Sequence, residues 1–313
     1  MLNKTFLSIL YNLRESAFAP KAFEYDLDVE AVNCFIYECI KSGTPALITR
    51  FGNVELDVLL NYVSIKKGQK NKVVSVLSRI AGNKPSYWDS SALERFELNA
   101  GFFPTEDPFL SKYCEYIISN LCEVDILASW INREVEFTAE LEKAKKVNLH
   151  SIEPFFSNTK WTHALKNKTV LVIHPFDGLI KNQFFKRDQL FNGLLPDFEI
   201  KVLKAVQSSA GSESEFEDWF EALNYMLDEV KTIDFDIAII GAGAYGMPLA
   251  MEIKKLGKVA VHMGGVTQLL FGIKGRRWEA DLRYNSLFNK HWVNPTKKYV
   301  PKKASEVEGG CYW

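Results

Sequence analysis

Seven short apolar runs, at 46–50, 124–129, 146–150, 170–174, 199–204, 236–240 and 259–263, recur along the chain with helical patterns between them. The helical patterns stand out at 29–41, 108–121, 213–230 and 245–256. This alternation predicts an α/β fold, a Rossmann-like, mostly parallel sheet with helices on both faces. In open sheets of this kind ligands bind beyond the carboxyl ends of the strands, so the residues there form one set. They are Arg50 with Phe51, Gly52, Asn53, Val54 and Glu55; Trp130; Glu153; His174 with Asp177; Gln207 with Ser208; the turn 241–246; and His262 with Gly264. The set is polar, aromatic and glycine-rich, whereas the runs feeding it are apolar. No internal repeat or low-complexity linker divides the 313 residues, which read as a single domain, 1–313. The stretch 66–103 fits the alternation poorly and reads as an insertion or lid. From 285 to 313 the pattern turns irregular, with Pro295, Pro301, Gly309 and Gly310 suggesting a tail that wraps the surface.

Two glycine-rich turns stand at the ends of the last two runs. Gly241, Gly243 and Gly246 follow the first; Gly264 and Gly265 follow the second. Glycine lets the backbone turn sharply and approach a ligand, leaving helix amides free for an anion. With the two strands adjacent, both helix starts face one crevice, a seat for a nucleotide diphosphate. Gly241, Gly243 and Gly246 also match a dinucleotide fingerprint, which calls for an acid about 20 residues on. His262 stands near that position, and no Asp or Glu occurs between Glu252 and Glu279. The alternative is that the glycines only permit tight packing of strand on helix.

Lys and Arg number 38 against 39 Asp and Glu, a balance that argues against a nucleic-acid partner. The five cysteines (Cys34, Cys39, Cys114, Cys122, Cys311) lack C-x-x-C spacing and read as reduced thiols of a cytoplasmic protein. No run is long enough to cross a bilayer, and no signal peptide is evident. Residues 1–25 carry Leu2, Phe6, Leu7, Leu10, Leu13 and Phe18 among Lys4, Arg14 and Lys21. That amphipathic segment suits packing on its own domain, peripheral contact with the inner face of the membrane, or a homodimer. The hydrolase, zinc-protease and P-loop motifs are missing, and the five histidines show no metal-ligand spacing.

The segment ALITRFGNVELDVL resembles the RFG-[DN]-x-E signature of the GT-D glycosyltransferases. VLVIHPFDGLIKNQFFKRDQLF, IGAGAYGMPLA, HMGGVTQLLFGIKGRRW and the terminal EGGCYW resemble a bacterial family assigned to that fold and encoded in surface-polysaccharide gene clusters. The likeness spans most of the chain, from Ala46 to Trp313. It implies a GT-D type fold and transfer of a sugar from a nucleotide-sugar donor to a glycan or lipid-linked acceptor. It also implies a divalent metal, Mn²⁺ or Mg²⁺, helping to hold the diphosphate. The chain departs from the metal-dependent pattern by carrying Asn53 where Asp is expected, ahead of Glu55. Asn offers one neutral oxygen where these cations prefer charged ones, so metal binding is expected to be weak or to lean on Glu55 and the donor phosphates. The plain alternative makes Asn53 a helix N-cap and Glu55 a first-turn complement to the helix dipole. Asp57, on the same helix, would point away from Glu55 by about 200°.

Arg50, Gly52 and the glycines of the two later turns (Gly241, Gly243, Gly246, Gly264, Gly265) are expected to cradle the phosphates. Lys274, Arg276 and Arg277 form a basic cluster able to clamp a diphosphate, or else a solvated loop. His174 can bond a phosphate or sugar hydroxyl, act as a base, or be a buried histidine tied to the backbone. Asp177 orients it or activates the acceptor hydroxyl, with Glu153 as a second candidate base. Tyr245 is expected to stack on the nucleobase and His262 to touch the nucleoside. Gln183 and Arg187 share a helix face, with Arg187 reaching the crevice or pairing with a surface acid. Two rival functions stay open: an NAD(P) or FAD oxidoreductase using the glycine turn, and a non-catalytic nucleotide-binding assembly protein, which Asn53 favours.

Overall fold

The computed structural model describes residues 22–68 and 87–313. They form one seven-stranded sheet in the order β3-β2-β1-β7-β6-β4-β5. Every neighbouring pair is parallel. The strands are β1 (Ala46–Thr49), β2 (Ile126–Ser129), β3 (Lys145–Asn148), β4 (Thr169–His174), β5 (Glu199–Lys204), β6 (Ile237–Ile240) and β7 (Val259–His262). Each of the seven apolar runs yields one of them.

Successive side chains leave a strand on opposite faces, and here both faces are buried. Leu47, Leu171, Ile173, Ala238, Ile240 and Ala260 enter one core layer. Ala46, Ile48, Val170, Val172, Ile237, Ile239, Val259 and Val261 enter the other. Helices α1 (Val29–Ser42) and α4 (Asp177–Phe184) cover the second layer, helped by a 3₁₀ helix at Gly264–Phe271. The first layer is covered by α2 (Asn53–Lys66), α3 (Phe109–Asn120), α5 (Trp219–Thr232) and α6 (Gly246–Lys255). The α/β, Rossmann-like reading therefore holds, with a wholly parallel sheet. Helix α5 starts later than the expected 213, because Asp218 caps it by accepting the amides of Phe220 and Glu221.

The order of strands locates a ligand site. The chain runs outward from β1 through β2 to β3, then restarts on the far side with β4 and β5. Strands β6 and β7 fill the gap between β4 and β1. The carboxyl ends of four central strands thus meet where the chain changes direction, the usual place for a ligand in such sheets.

Of the stretch 66–103, residues 69–86 lie outside the described residues. Beyond them, Phe96 and Phe102 are fully buried in the core and stack 4.7 Å apart. The amphipathic segment 1–25 also lies outside, apart from its last four residues. The tail 285–313 is irregular, with 3₁₀ turns at Lys297–Tyr299 and Ala304–Glu306. It is nonetheless fixed: the buried Gln268 amide donates to the carbonyls of Lys274 (2.7 Å) and Tyr312 (3.1 Å). Among the described residues no helix is long and apolar enough to cross a membrane.

Candidate functional site

A cleft, partly open to solvent, lies over the carboxyl ends of the strands. Arg50, Trp130, His174, Gln207, Gly241 and His262, each at or just past the end of a different strand, line it together.

The turn after β1 brings the charge. Arg50 is half-buried, and its Nε is sealed from solvent with no hydrogen-bond partner. Its guanidinium lies 5.2 Å from the centre of the Trp130 ring, which is itself fixed by Nε1 donating to the Phe51 carbonyl at 2.9 Å. Among the described residues Arg50 forms no ion pair. Gly52, not Asn53, is the N-cap of α2, and Asn53 is the exposed first helical residue at the rim of the cleft. The expected Asn53 cap gives way because Glu55, two residues on, folds its carboxylate back over Gly52, where a Cβ would collide with it. That carboxylate accepts the amide of Glu55 itself; burial pushes its pKa up, while the charge of Arg50 pulls it back. Asp57 faces elsewhere, 3.3 Å from Arg95.

The turn after β6 is filled by protein. A Cβ at Gly241 would lie 2.6 Å from the Gly264 carbonyl oxygen, and one at Gly243 would lie 2.8 Å from that of Ala100. One at Gly246 would strike the imidazole of His262. Gly241 and Gly243 line the cleft, whereas Gly246 does not. Tyr245 does not reach it either: its buried ring stacks on Trp219 at 5.0 Å, and its hydroxyl lies 2.9 Å from Ser208 Oγ. Trp219 at the start of α5 supplies the flat apolar partner that draws the ring inward, away from a nucleobase.

Two neutral histidines sit at the floor. Nδ1 of His174 accepts the Phe176 amide at 3.0 Å, so Nε2 must carry the proton of the neutral ring. Burial pushes the pKa of His174 down to about 3. With Nδ1 occupied and the ring this reluctant to charge, His174 is a hydrogen-bond donor to the cleft and not a base. His262 places Nδ1 2.8 Å from Thr49 Oγ1, tying β7 to β1. Burial, reinforced by the charge of Arg50, also holds its pKa at about 3.

Of the basic cluster, Arg277 alone lines the cleft, paired with Glu308 and 5.2 Å from the centre of the Tyr312 ring. Arg276 turns to the Gly309 carbonyl (3.2 Å), and Lys274 lies over Phe288 at 5.3 Å. Gly264 and Gly265 line the cleft, Gly264 beside the Arg50 guanidinium and Gly265 beneath the Tyr312 ring. Asp177 is the half-buried first residue of α4 and stands outside the cleft lining. Glu153 is buried elsewhere, accepting the Tyr284 hydroxyl at 2.7 Å. Neither is therefore in place to activate an acceptor in this cleft. Gln183 donates to the His291 carbonyl (3.0 Å), and Arg187 pairs with Asp197 (2.8 Å), so both hold the scaffold.

Several lining residues carried no signal in strand periodicity. Asn99 and Ala100 arrive from a π-helical turn, Phe96–Ala100, and Gln268 from the 3₁₀ helix. Glu308, Tyr312 and Trp313 come from the tail. The EGGCYW string was the one hint of the last three. Glu134, just behind the cleft, is fully buried; its carboxylate accepts from Ser129 Oγ and from the amides of Trp130 and Ile131. Burial pushes its pKa up to about 7.

A divalent metal finds a poor donor set. Asn53 is exposed, the Glu55 carboxylate is turned onto its own amide, and Arg50 brings positive charge to the same place. Among the described residues no three His, Cys, Asp or Glu side chains are grouped to hold a metal ion. In comparisons with protein-family models, curated proteins and solved structures, nothing matches this chain.

Proposed function

We propose that the chain is a glycosyltransferase that moves a sugar from a nucleotide-diphosphate-sugar donor to a glycan or lipid-linked acceptor, as its resemblance to the GT-D enzymes implies. The observation that carries this reading is Arg50, a cation that forms no ion pair among the described residues, at the carboxyl ends of the central strands. Arginine offers a planar fork of donors suited to phosphate oxygens. The Nε2–H of His174 adds a neutral donor on the same floor. In the reaction the bond between the anomeric carbon and the diphosphate oxygen breaks, and the acceptor hydroxyl oxygen bonds to that carbon. The acceptor proton passes to Glu55, the one sequence-candidate acid that lines the cleft, and its raised pKa suits a proton acceptor. The nucleoside diphosphate leaves with its charge against Arg50. The work would lie in bacterial surface-polysaccharide synthesis, on the cytoplasmic side of the membrane.

The oxidoreductase reading is weakened by His262 occupying the space that Gly246 opens and by the burial of Tyr245. A thermal-shift panel tests the choice: UDP, GDP, CDP and their sugars against NAD, NADP and FAD. A ligand at about 100 times its Kd adds roughly 2.7 kcal/mol of stability. Stabilisation by one nucleoside diphosphate and its sugar is expected. A shift with NAD or FAD alone would overturn the proposal. Binding of the donor with neither transfer nor donor hydrolysis would point instead to the non-catalytic assembly role.

A further inference from the structure

We propose that this protein holds its donor diphosphate without a divalent cation, with Arg50 supplying the compensating positive charge. The inference rests on the glycosyltransferase reading in taking a nucleoside diphosphate as the ligand. Its own support is the geometry of the turn after β1.

A metal bridging protein and diphosphate needs at least one carboxylate presented toward the phosphates. The two residues at the expected positions do not present one. Asn53 carries no charge and stands at the exposed rim. Glu55 folds its carboxylate back over the Gly52 backbone. Glu308, the other acid in the cleft, is paired with Arg277. A divalent cation brought to this place would also meet the guanidinium of Arg50 as a like charge, at short range and partly out of water.

Arg50 instead has what the diphosphate requires. Its ring-stacked guanidinium is held in place by Trp130, its buried Nε lacks an acceptor, and no carboxylate pairs with it among the described residues.

Calorimetric titration of the full chain with UDP, GDP and CDP, in excess EDTA and then in Mn²⁺, tests this directly. The expected result is that the nucleotide that binds does so in EDTA with a Kd within about threefold of that in Mn²⁺. Binding seen only with Mn²⁺, or tightened by about a hundredfold, would overturn the inference and leave the transferase reading intact. Failure of all three to bind in either buffer would overturn both. In EDTA, Arg50→Ala is expected to lose about tenfold to a hundredfold in affinity, the scale of a charge-assisted bond, with no rescue by Mn²⁺. Arg50→Lys keeps the charge but not the fork and should fall between. Wild-type affinity in a folded Arg50→Ala protein would also refute it; if that variant does not fold, the wild-type titration decides alone.

Discussion

The turns after β1 and after β6 look alike in sequence and differ in what they enclose. Both lead from an apolar parallel strand through glycine into a helix on the same core layer. After β1, the space left by Gly52 is taken by the tip of the Glu55 side chain, in the field of Arg50, which forms no ion pair among the described residues. After β6, the spaces left by Gly241, Gly243 and Gly246 are taken by two carbonyl groups and a buried imidazole. One turn is built around chemistry, the other around packing. A glycine pattern reports that something comes close to the backbone; only the neighbour tells whether that something is a ligand or the protein itself.

Substitutions should separate the two turns. In Gly52→Ala the flexible Glu55 tip can swing aside, so melting temperature should change little while sugar transfer falls on the order of 100-fold from the misplaced carboxylate. Gly246→Ala should do the reverse. Its backbone is ordinary helix, but the added methyl meets the His262 ring, costing about 1–3 kcal/mol of stability with nucleotide affinity retained. Melting curves and titrations on both variants check the pair. Equal losses of stability in the two would erase the distinction.

The turns should also answer pH in opposite senses. His174 and His262 pack against Gly241 and Gly246, and their pKa values near 3 lie below the ordinary 6.5. The unfolded chain therefore binds protons that the folded chain refuses, and the stability present above 6.5 is lost as pH falls toward 3. Glu134 lies on the other side, in the field of Arg50, with a pKa near 7 against the ordinary 4.5. Its contribution is present below 4.5 and lost as pH rises through 7. Between 4.5 and 6.5 the single carboxyl offsets only one of the two histidines, so stability should fall there about half as steeply as below 4.5. Glu134→Gln removes the offset, and its melting temperature should fall more steeply between pH 6.5 and 4.5. An unchanged slope in that window would show that Glu134 titrates in its ordinary range.

A smaller contrast concerns the basic cluster. Arg277→Ala should weaken nucleotide binding only a few-fold, since Glu308 already offsets its charge, and Arg276→Ala should leave affinity unchanged. Titration of both variants checks this, and an equal loss in the two would mean that Arg276 also reaches the ligand.

Much of the fold was legible because parallel strands buried on both faces leave continuous apolar runs, as at 236–240 and 259–263. The strand ends followed from that, and Arg50, Trp130, His174, Gln207 and His262 do share one cleft. Direction within the site was less legible. Tyr245 and His174 follow strands that the sequence predicts, yet the ring of Trp219 and the amide of Phe176 decide which way each one points. Asn99, Glu308 and Tyr312 reach the cleft from irregular segments, through contacts that no periodicity encodes. The two arginines of the basic cluster are equivalent in sequence and are divided only by the path of the tail around them.

The most direct test of the charged turn is a crystal structure of the protein with the nucleoside diphosphate that stabilises it most. The expected result is a diphosphate within hydrogen-bond distance of the Arg50 guanidinium and of His174 Nε2. Phosphates bound to the amides at 241–246 and out of reach of Arg50 would contradict the account, returning the glycine pattern after β6 to a ligand role.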